Sequence, residues 1–162
     1  MKTRQKFAFV LGAGILCVSS LGEAATSTGN LAVSAIVAST CSVQSAALPF
    51  GVYNSSAVQQ SAQVGVVCSS GTSYTVSFDA GAAPGATATD RKLVGDSNAT
   101  LSYALYQDPA RSKNWGNASG SDTVTNIGNG SQQNLPVYGY IPSGQNVKAG
   151  SYNDVVGITL SY

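Results

Sequence analysis

The chain has 162 residues, eight of them basic and seven acidic, and it contains no histidine. Charged residues make up only 9% of the sequence while Ser, Thr, Gly, Ala and Asn abound, which excludes the charge-rich, aromatic-poor composition of a disordered chain. There is no basic patch to attract nucleic acid or an anionic membrane, and without histidine the Ser–His and Cys–His catalytic arrangements are absent.

Lys2, Arg4 and Lys6 give the chain a positive start, residues 7–21 are apolar with small residues interspersed, and Gly22 and Ala24 supply small residues ahead of a cut. This is the pattern of a secretory signal peptide, assigned to residues 1–24. A cut after Ala25 would set Glu23 unfavourably close upstream. The apolar stretch falls short of the roughly 20 residues a transmembrane helix needs, and no later segment qualifies, so a soluble exported product without membrane insertion is expected. About 138 residues then remain, with five bases and six acids, enough for one domain with a real core.

Side chains alternate faces along a strand, and residues 31–38 alternate. Leu31, Val33, Ala35 and Val37 share one face, and Ala32, Ser34, Ile36 and Ala38 share the other. Residues 48–53 form a short apolar run that holds Pro49 and Gly51, as in an edge or irregular strand. Residues 63–68 place Val64 and Val66 inward, and Ser73–Phe78 places Tyr74, Val76 and Phe78 on one face. A Gly-, Ala- and Pro-rich loop spans 79–90. Arg91–Val94 reads as a short strand, and residues 99–106 put Leu101, Tyr103 and Leu105 on one face. Residues 117–131 are polar and Gly-rich, with a weak strand at 123–127. Leu135, Val137, Gly139 and Ile141 share a face in 135–141. The chain closes on residues 155–162, where Val156, Ile158, Leu160 and Tyr162 share one face. Several short strands at this spacing predict an all-β sandwich or barrel.

Cys17 leaves with the signal, and Cys41 and Cys68 remain as an even pair in an exported protein, which predicts a disulfide. Closing a loop of 26 intervening residues would add roughly 3–4 kcal/mol. Two buried thiols are the alternative. No metal site is expected, because there is no histidine and no second Cys close to either one. No cofactor motif is present, since no phosphate-cradling Gly loop follows a strand and opens a helix.

The six Asp residues of the mature chain (Asp79, Asp90, Asp96, Asp108, Asp122, Asp154) sit where Asp favours turns, so no catalytic residue is assigned and no enzyme is expected. Trp115 and the tyrosines raise the alternative of sugar stacking, with Trp115 placed in a loop or at a strand end among Asn114, Gly116 and Asn117. Tyr74 and Tyr103 lie on apolar faces and read as core. Asn54, Asn98, Asn117 and Asn129 open Asn-x-Ser/Thr sequons, as a Ser/Asn-rich surface does by chance.

Several segments in order resemble a known family: Asp90-Arg91-Lys92-Leu93; Leu101-Ser102-Tyr103-Ala104-Leu105-Tyr106-Gln107-Asp108 with Arg111 and Trp115-Gly116 behind it; Leu135-Pro136-Val137-Tyr138-Gly139; Ile141-Pro142; and Gly150-Ser151-Tyr152-Asn153-Asp154 before the last strand. Over nearly all of the mature chain this is similar to the spore coat protein U domain family, which includes major subunits of archaic, Csu-type chaperone–usher pili. One departure is Asn117, where an acidic residue is expected after Trp115-Gly116.

The resemblance implies an incomplete immunoglobulin-like β-sandwich, short of its last strand and completed by a donor strand from another subunit. It implies a periplasmic chaperone that first fills the groove, an outer-membrane usher, and a polymer of like subunits with a tip subunit, exported through the periplasm to the cell surface as a pilus supporting adhesion and biofilm formation. Residues 25–39 then become the donor segment, with Leu31, Val33, Ala35 and Val37 entering the acceptor groove, and residues 40–162 the pilin domain. The strand carrying Val156, Ile158, Leu160 and Tyr162 is expected to border that groove, to pair with the chaperone, and to bury this face. The alternative function is a self-contained secreted binding or coat module, such as a lectin-like adhesin.

Overall fold

Alternation of apolar and polar residues builds two antiparallel sheets in the computed structural model, which describes residue 22 and residues 24–162. The export signal assigned to 1–24 falls almost wholly outside the described residues. The strands are β1 (Cys41–Val43), β2 (Val58–Cys68), β3 (Ser73–Phe78), β4 (Arg91–Val94), β5 (Thr100–Tyr106), β6 (Val124–Ile127), β7 (Gln132–Ile141) and β8 (Ile158–Ser161). One sheet has the order β1-β2-β7-β5-β4 and the other β6-β3-β8. The fold is an all-β, incomplete immunoglobulin-like sandwich.

The core lies between the sheets and is made of the faces read from the sequence. Val64 and Val66 of β2, Tyr74, Val76 and Phe78 of β3, Leu101, Tyr103 and Leu105 of β5, and Leu135, Val137 and Ile141 of β7 are all buried. Each is separated from the next on its strand by an even number of residues, so one face of each strand leaves water. Ser69 to Thr72 joins β2 to β3 in a turn closed by a 3.1 Å bond from the Thr72 amide to the Ser69 carbonyl. Gly71 takes φ +81° there, the conformation that the third residue of a type II turn requires and that glycine adopts without strain.

Four segments differ from the sequence reading. β2 begins at Val58, not at residue 63, because its polar start is recruited by a ladder with β7 that runs from Val58↔Ile141 to Val67↔Gln132. β7 lengthens to Gln132 for the same reason. β1 carries too little alternation in three residues to be recognised, and its pairing puts Cys41 opposite Cys68, where a disulfide joins them at a Cα–Cα distance of 4.1 Å. β8 is shorter than residues 155–162, because its partner β3 ends where Phe78 pairs with Ile158.

Tertiary contacts divide the chain into two units, Met1–Ile36 and Val37–Tyr162. The described part of the first holds no strand, although its alternation suggests one, and Leu31, Val33 and Ile36 are 84–98% exposed. At the start of the second unit, Val37 is likewise 91% exposed.

A candidate donor-strand groove

One corner of the sandwich is fully closed. Trp115 is 1% exposed. Its ring stacks on Phe78 at 4.4 Å between centroids and 17° between planes, and its indole Nε1–H donates to the Val76 carbonyl at 3.1 Å. No ring face is left for a sugar, which removes the stacking alternative for Trp115. Beside it Arg91 of β4 is wholly buried with no carboxylate in hydrogen-bonding reach. Its guanidinium instead donates to four carbonyls: Asp79 at 2.8 Å, Ala88 at 2.6 Å, Phe78 at 3.2 Å and Trp115 at 2.8 Å. Burial without a paired anion lowers its pKa, opposed by the more distant charges around it. Sequence reasoning gave Arg91 no role; the signals were its place in the Asp90-Arg91-Lys92-Leu93 segment of the family resemblance and a cation at a strand start in a chain with few charges.

Asn117 stands where an acid was expected after Trp115-Gly116, and the carboxylate that ties this loop is Asp122. It accepts the Ala118 amide at 2.7 Å and the Asn114 side-chain amide at 3.3 Å, while Asn117 is exposed. Asp122 comes from five residues further along, so the departure in sequence leaves the loop tied down.

The opposite side is open. β8 pairs with β3 along one edge, and among the described residues no strand pairs with its other edge. Between that bare edge and residues 43–50 runs a cleft of about 470 Å³. Its floor is Val64, Phe78, Leu105 and Val137, and Val156 and Ile158 form the wall on the β8 side. The other wall is the irregular segment through Leu48 and Phe50. This segment lies close over β7 because residue 139 is glycine: a Cβ there would come within 2.7 Å of the Phe50 ring and 2.8 Å of Leu48. Phe50 also meets Tyr103 edge-on at 5.7 Å. The apolar run at 48–53 is thus a groove wall and forms no strand.

Val156, Ile158 and Leu160 turn toward the core, yet each stays half-buried. Tyr162, placed on the same face by its spacing, is 64% exposed. It lies one residue beyond the end of β8 and past the last ladder pair, Thr75↔Ser161.

Two carboxylates anchor the approach to β8. Asp79, just after β3, accepts the Gly157 amide at 2.8 Å and the Gly81 amide at 2.9 Å. Asp154 accepts the Ala82 amide and the Val155 amide, each at 2.8 Å, and the Tyr103 hydroxyl at 2.7 Å. The Tyr103 pKa is pushed well up, first by burial and then by donation to Asp154, so this hydroxyl remains a donor at any physiological pH. These tethers start the last strand at a fixed place beside the groove. Asp154 stands in the closing Gly-x-Tyr-x-Asp motif, but its tie to Tyr103 on the other sheet was not legible from spacing.

Among the described residues no group of three His, Cys, Asp or Glu is placed to hold a metal ion, and no helix is long and apolar enough to cross a membrane.

A sandwich with a bare strand edge beside an uncovered part of its core belongs to the class of incomplete immunoglobulin-like domains. Residues 27–159 match the Spore Coat Protein U domain, and the chain belongs to that family. Protein U of Myxococcus xanthus is 36% identical over 172 aligned residues, covering 96% of both chains. A solved structure, the chaperone–tip adhesion subunit pre-assembly complex CsuC–CsuE from the archaic chaperone–usher Csu pili of Acinetobacter baumannii, superposes with a TM-score of 0.57 at 24% identity. The match covers 78% of this chain but only 40% of that one, so it speaks for the shared fold.

Proposed function

We propose that this protein is a structural subunit of a surface fibre, assembled by donor-strand exchange along a chaperone–usher route and supporting adhesion and biofilm formation. The carrying observation is an apolar groove beside an unpaired strand edge, in a chain that also holds an exposed, alternating apolar segment. The occupant is residues 25–39 of a second copy. An apolar groove with a bare edge is an association hazard if left open, and a β-strand added there satisfies the backbone of β8 while its alternate side chains fill the groove. Burying Leu31, Val33 and Val37 would contribute roughly 5–8 kcal/mol as an upper bound, and Ala35 fits a shallow part of the groove.

The same groove suits a periplasmic chaperone strand during export, with an outer-membrane usher catalysing the exchange and a tip subunit ending the polymer. The family membership and the subject of the matched solved structure both support this, and residues 1–24 supply the export step. The Cys41–Cys68 bond ties the first strand of the body to β2 directly after the donor segment, so pull on the segment passes straight into the sheet.

The test is Val33→Asp. An unpaired charge entering an apolar groove is expensive, so polymer should be lost, while soluble chaperone-bound subunit stays near the parent level, because Val33 is exposed in its own chain. Ala32→Asp, on the opposite face, should polymerise far better. Normal polymers from Val33→Asp, or from a chain lacking residues 25–37, would end the donor reading. A stable, non-aggregating monomer from that shortened chain would favour a self-contained binding module.

A further inference from the structure

The apolar groove ends at a polar bar. Asp154 borders both the 470 Å³ groove and a second cavity of about 730 Å³, which is lined by Tyr53, Gln145, Lys148 and Tyr152 among others. Leu48, Phe50 and Leu93 also border both. Only the carboxylate is an ionisable group at this boundary, and it is held there from two sides, by the Tyr103 hydroxyl of the five-stranded sheet and by the Ala82 and Val155 amides.

The donor segment needs such a device. Its outward face carries Ile36, so a one-residue slip would still offer the groove apolar side chains. A two-residue slip keeps the same face inward and shifts it by one pocket. Register is weakly specified when a strand can present apolar groups either way. On the inward face, however, the run Leu31, Val33, Ala35, Val37 is bracketed by Gly29 and Ser39. Whichever end of the run lies at the bar, its flanking residue is small and tolerates a carboxylate. A two-residue slip toward the bar would drive Leu31 or Val37 against the charge, and desolvating a carboxylate with an apolar side chain is costly; a slip away from it would leave the nearest pocket to Gly29 or Ser39 and forfeit apolar burial.

The geometry points to Asp154, held by Tyr103, as the positioning residue that sets the register of the incoming strand. This deepens the donor-strand function proposed above and rests on it. Asp154 admits a small residue at the groove's end and rejects a large apolar one, so the apolar face stops in a single alignment. Tyr103 acts through Asp154 by keeping the carboxylate at the groove's end.

The experiment is disulfide mapping in fibres assembled from the full exported chain. Each protein carries Val156→Cys, a groove-wall position, and one of Leu31→Cys, Val33→Cys, Ala35→Cys or Val37→Cys, with crosslinks between neighbouring subunits identified by mass spectrometry. In the parent, one donor position should dominate its neighbours by about tenfold or more, and Asp154→Ala should bring adjacent positions within about threefold of each other. Tyr103→Phe, which keeps the ring in the core, should give an intermediate spread and decides the matter if Asp154→Ala does not fold. Asp154→Asn retains a polar group at the boundary without its charge and should leave a dominant position weaker than in the parent but clearer than in Asp154→Ala. A merely structural role would lower the melting temperature of these variants without redistributing the crosslinks. An unchanged single register in both Asp154→Ala and Tyr103→Phe overturns the assignment, as does a parent already spread over several positions, and in both cases donation itself stands. No crosslink at any position in the parent removes the donor reading and this inference with it.

Discussion

The two sides of β3 are held to very different standards. Val76 is 0% exposed and Phe78 2% exposed, yet their ladder partners on the next strand, Leu160 and Ile158, remain half-buried. At the Arg91–Trp115 corner every donor of the buried indole and most of the guanidinium's donors are matched to carbonyls, and no buried side-chain polar atom among the described residues lacks a partner. Along β8 a strand edge is bare and apolar side chains face a cleft. A sandwich poor in stability throughout would be loose at both sides. Here the side chains beside the bare β8 edge are half-buried while the β3 residues paired with them are closed, the pattern of a missing element more than of a weak core.

The closed corner offers the largest effect. Arg91→Ala removes the partner of four carbonyls, two of them in buried bonds, and opens a void, and should destabilise the domain by about 3–5 kcal/mol. Arg91→Lys should recover little of this, because an ammonium offers its donors from one point and cannot span four carbonyls that the planar guanidinium reaches. Yield of folded subunit and urea unfolding check it. Near-parent stability for Arg91→Ala would mean the corner is not the rigid half of the comparison.

The open side should respond to its occupant. Ile158→Ala is expected to cost only about 1 kcal/mol in the monomeric chain, where the side chain is half solvated, and about 2–4 kcal/mol in the proposed fibre, where a donor strand would cover it. Denaturant unfolding of the two states measures the difference. Equal costs would show that the β8 wall is as complete in the monomer as it becomes in the polymer, and the contrast between the sides would collapse.

Much of this contrast was legible in the sequence. The faces of β2, β3, β5 and β7 follow from their period of two, and so does the inward turn of Val156, Ile158 and Leu160. The even pair Cys41 and Cys68 pointed to the disulfide. What was not legible depends on contacts between distant segments. β2's polar first half is a strand only because β7 pairs with it. Arg91, Asp79 and Asp154 are placed by carbonyls, amides and a hydroxyl from elsewhere in the chain, which no local pattern encodes. Leu48 and Phe50 looked like strand residues because their apolar character was visible and their lack of a ladder partner was not. Tyr162 kept the right spacing but lies beyond the end of β8, outside its ladder with β3.

The smallest effect belongs to a turn on neither side of the groove. Asp108 follows β5 and accepts the Lys113 amide at 2.7 Å, the Ser112 amide at 3.1 Å and the Ser112 hydroxyl at 2.9 Å. These bonds favour the charged carboxylate and hold its pKa below the usual 3.8, the Lys113 amide contributing most. A depressed carboxylate pKa stabilises the fold above the unfolded-state value, and that contribution is lost as pH falls through the lower, folded value. Hydrogen exchange at the Ser112 and Lys113 amides, corrected for intrinsic rates, should therefore show protection that holds near neutrality and falls away at strongly acid pH. Asp108→Asn should have weaker protection at neutral pH and no acid step, with the β8 groove unaffected at either pH. A parent protein whose Ser112 and Lys113 amides stay equally protected down through the acid range would show that Asp108's charge does not hold this turn.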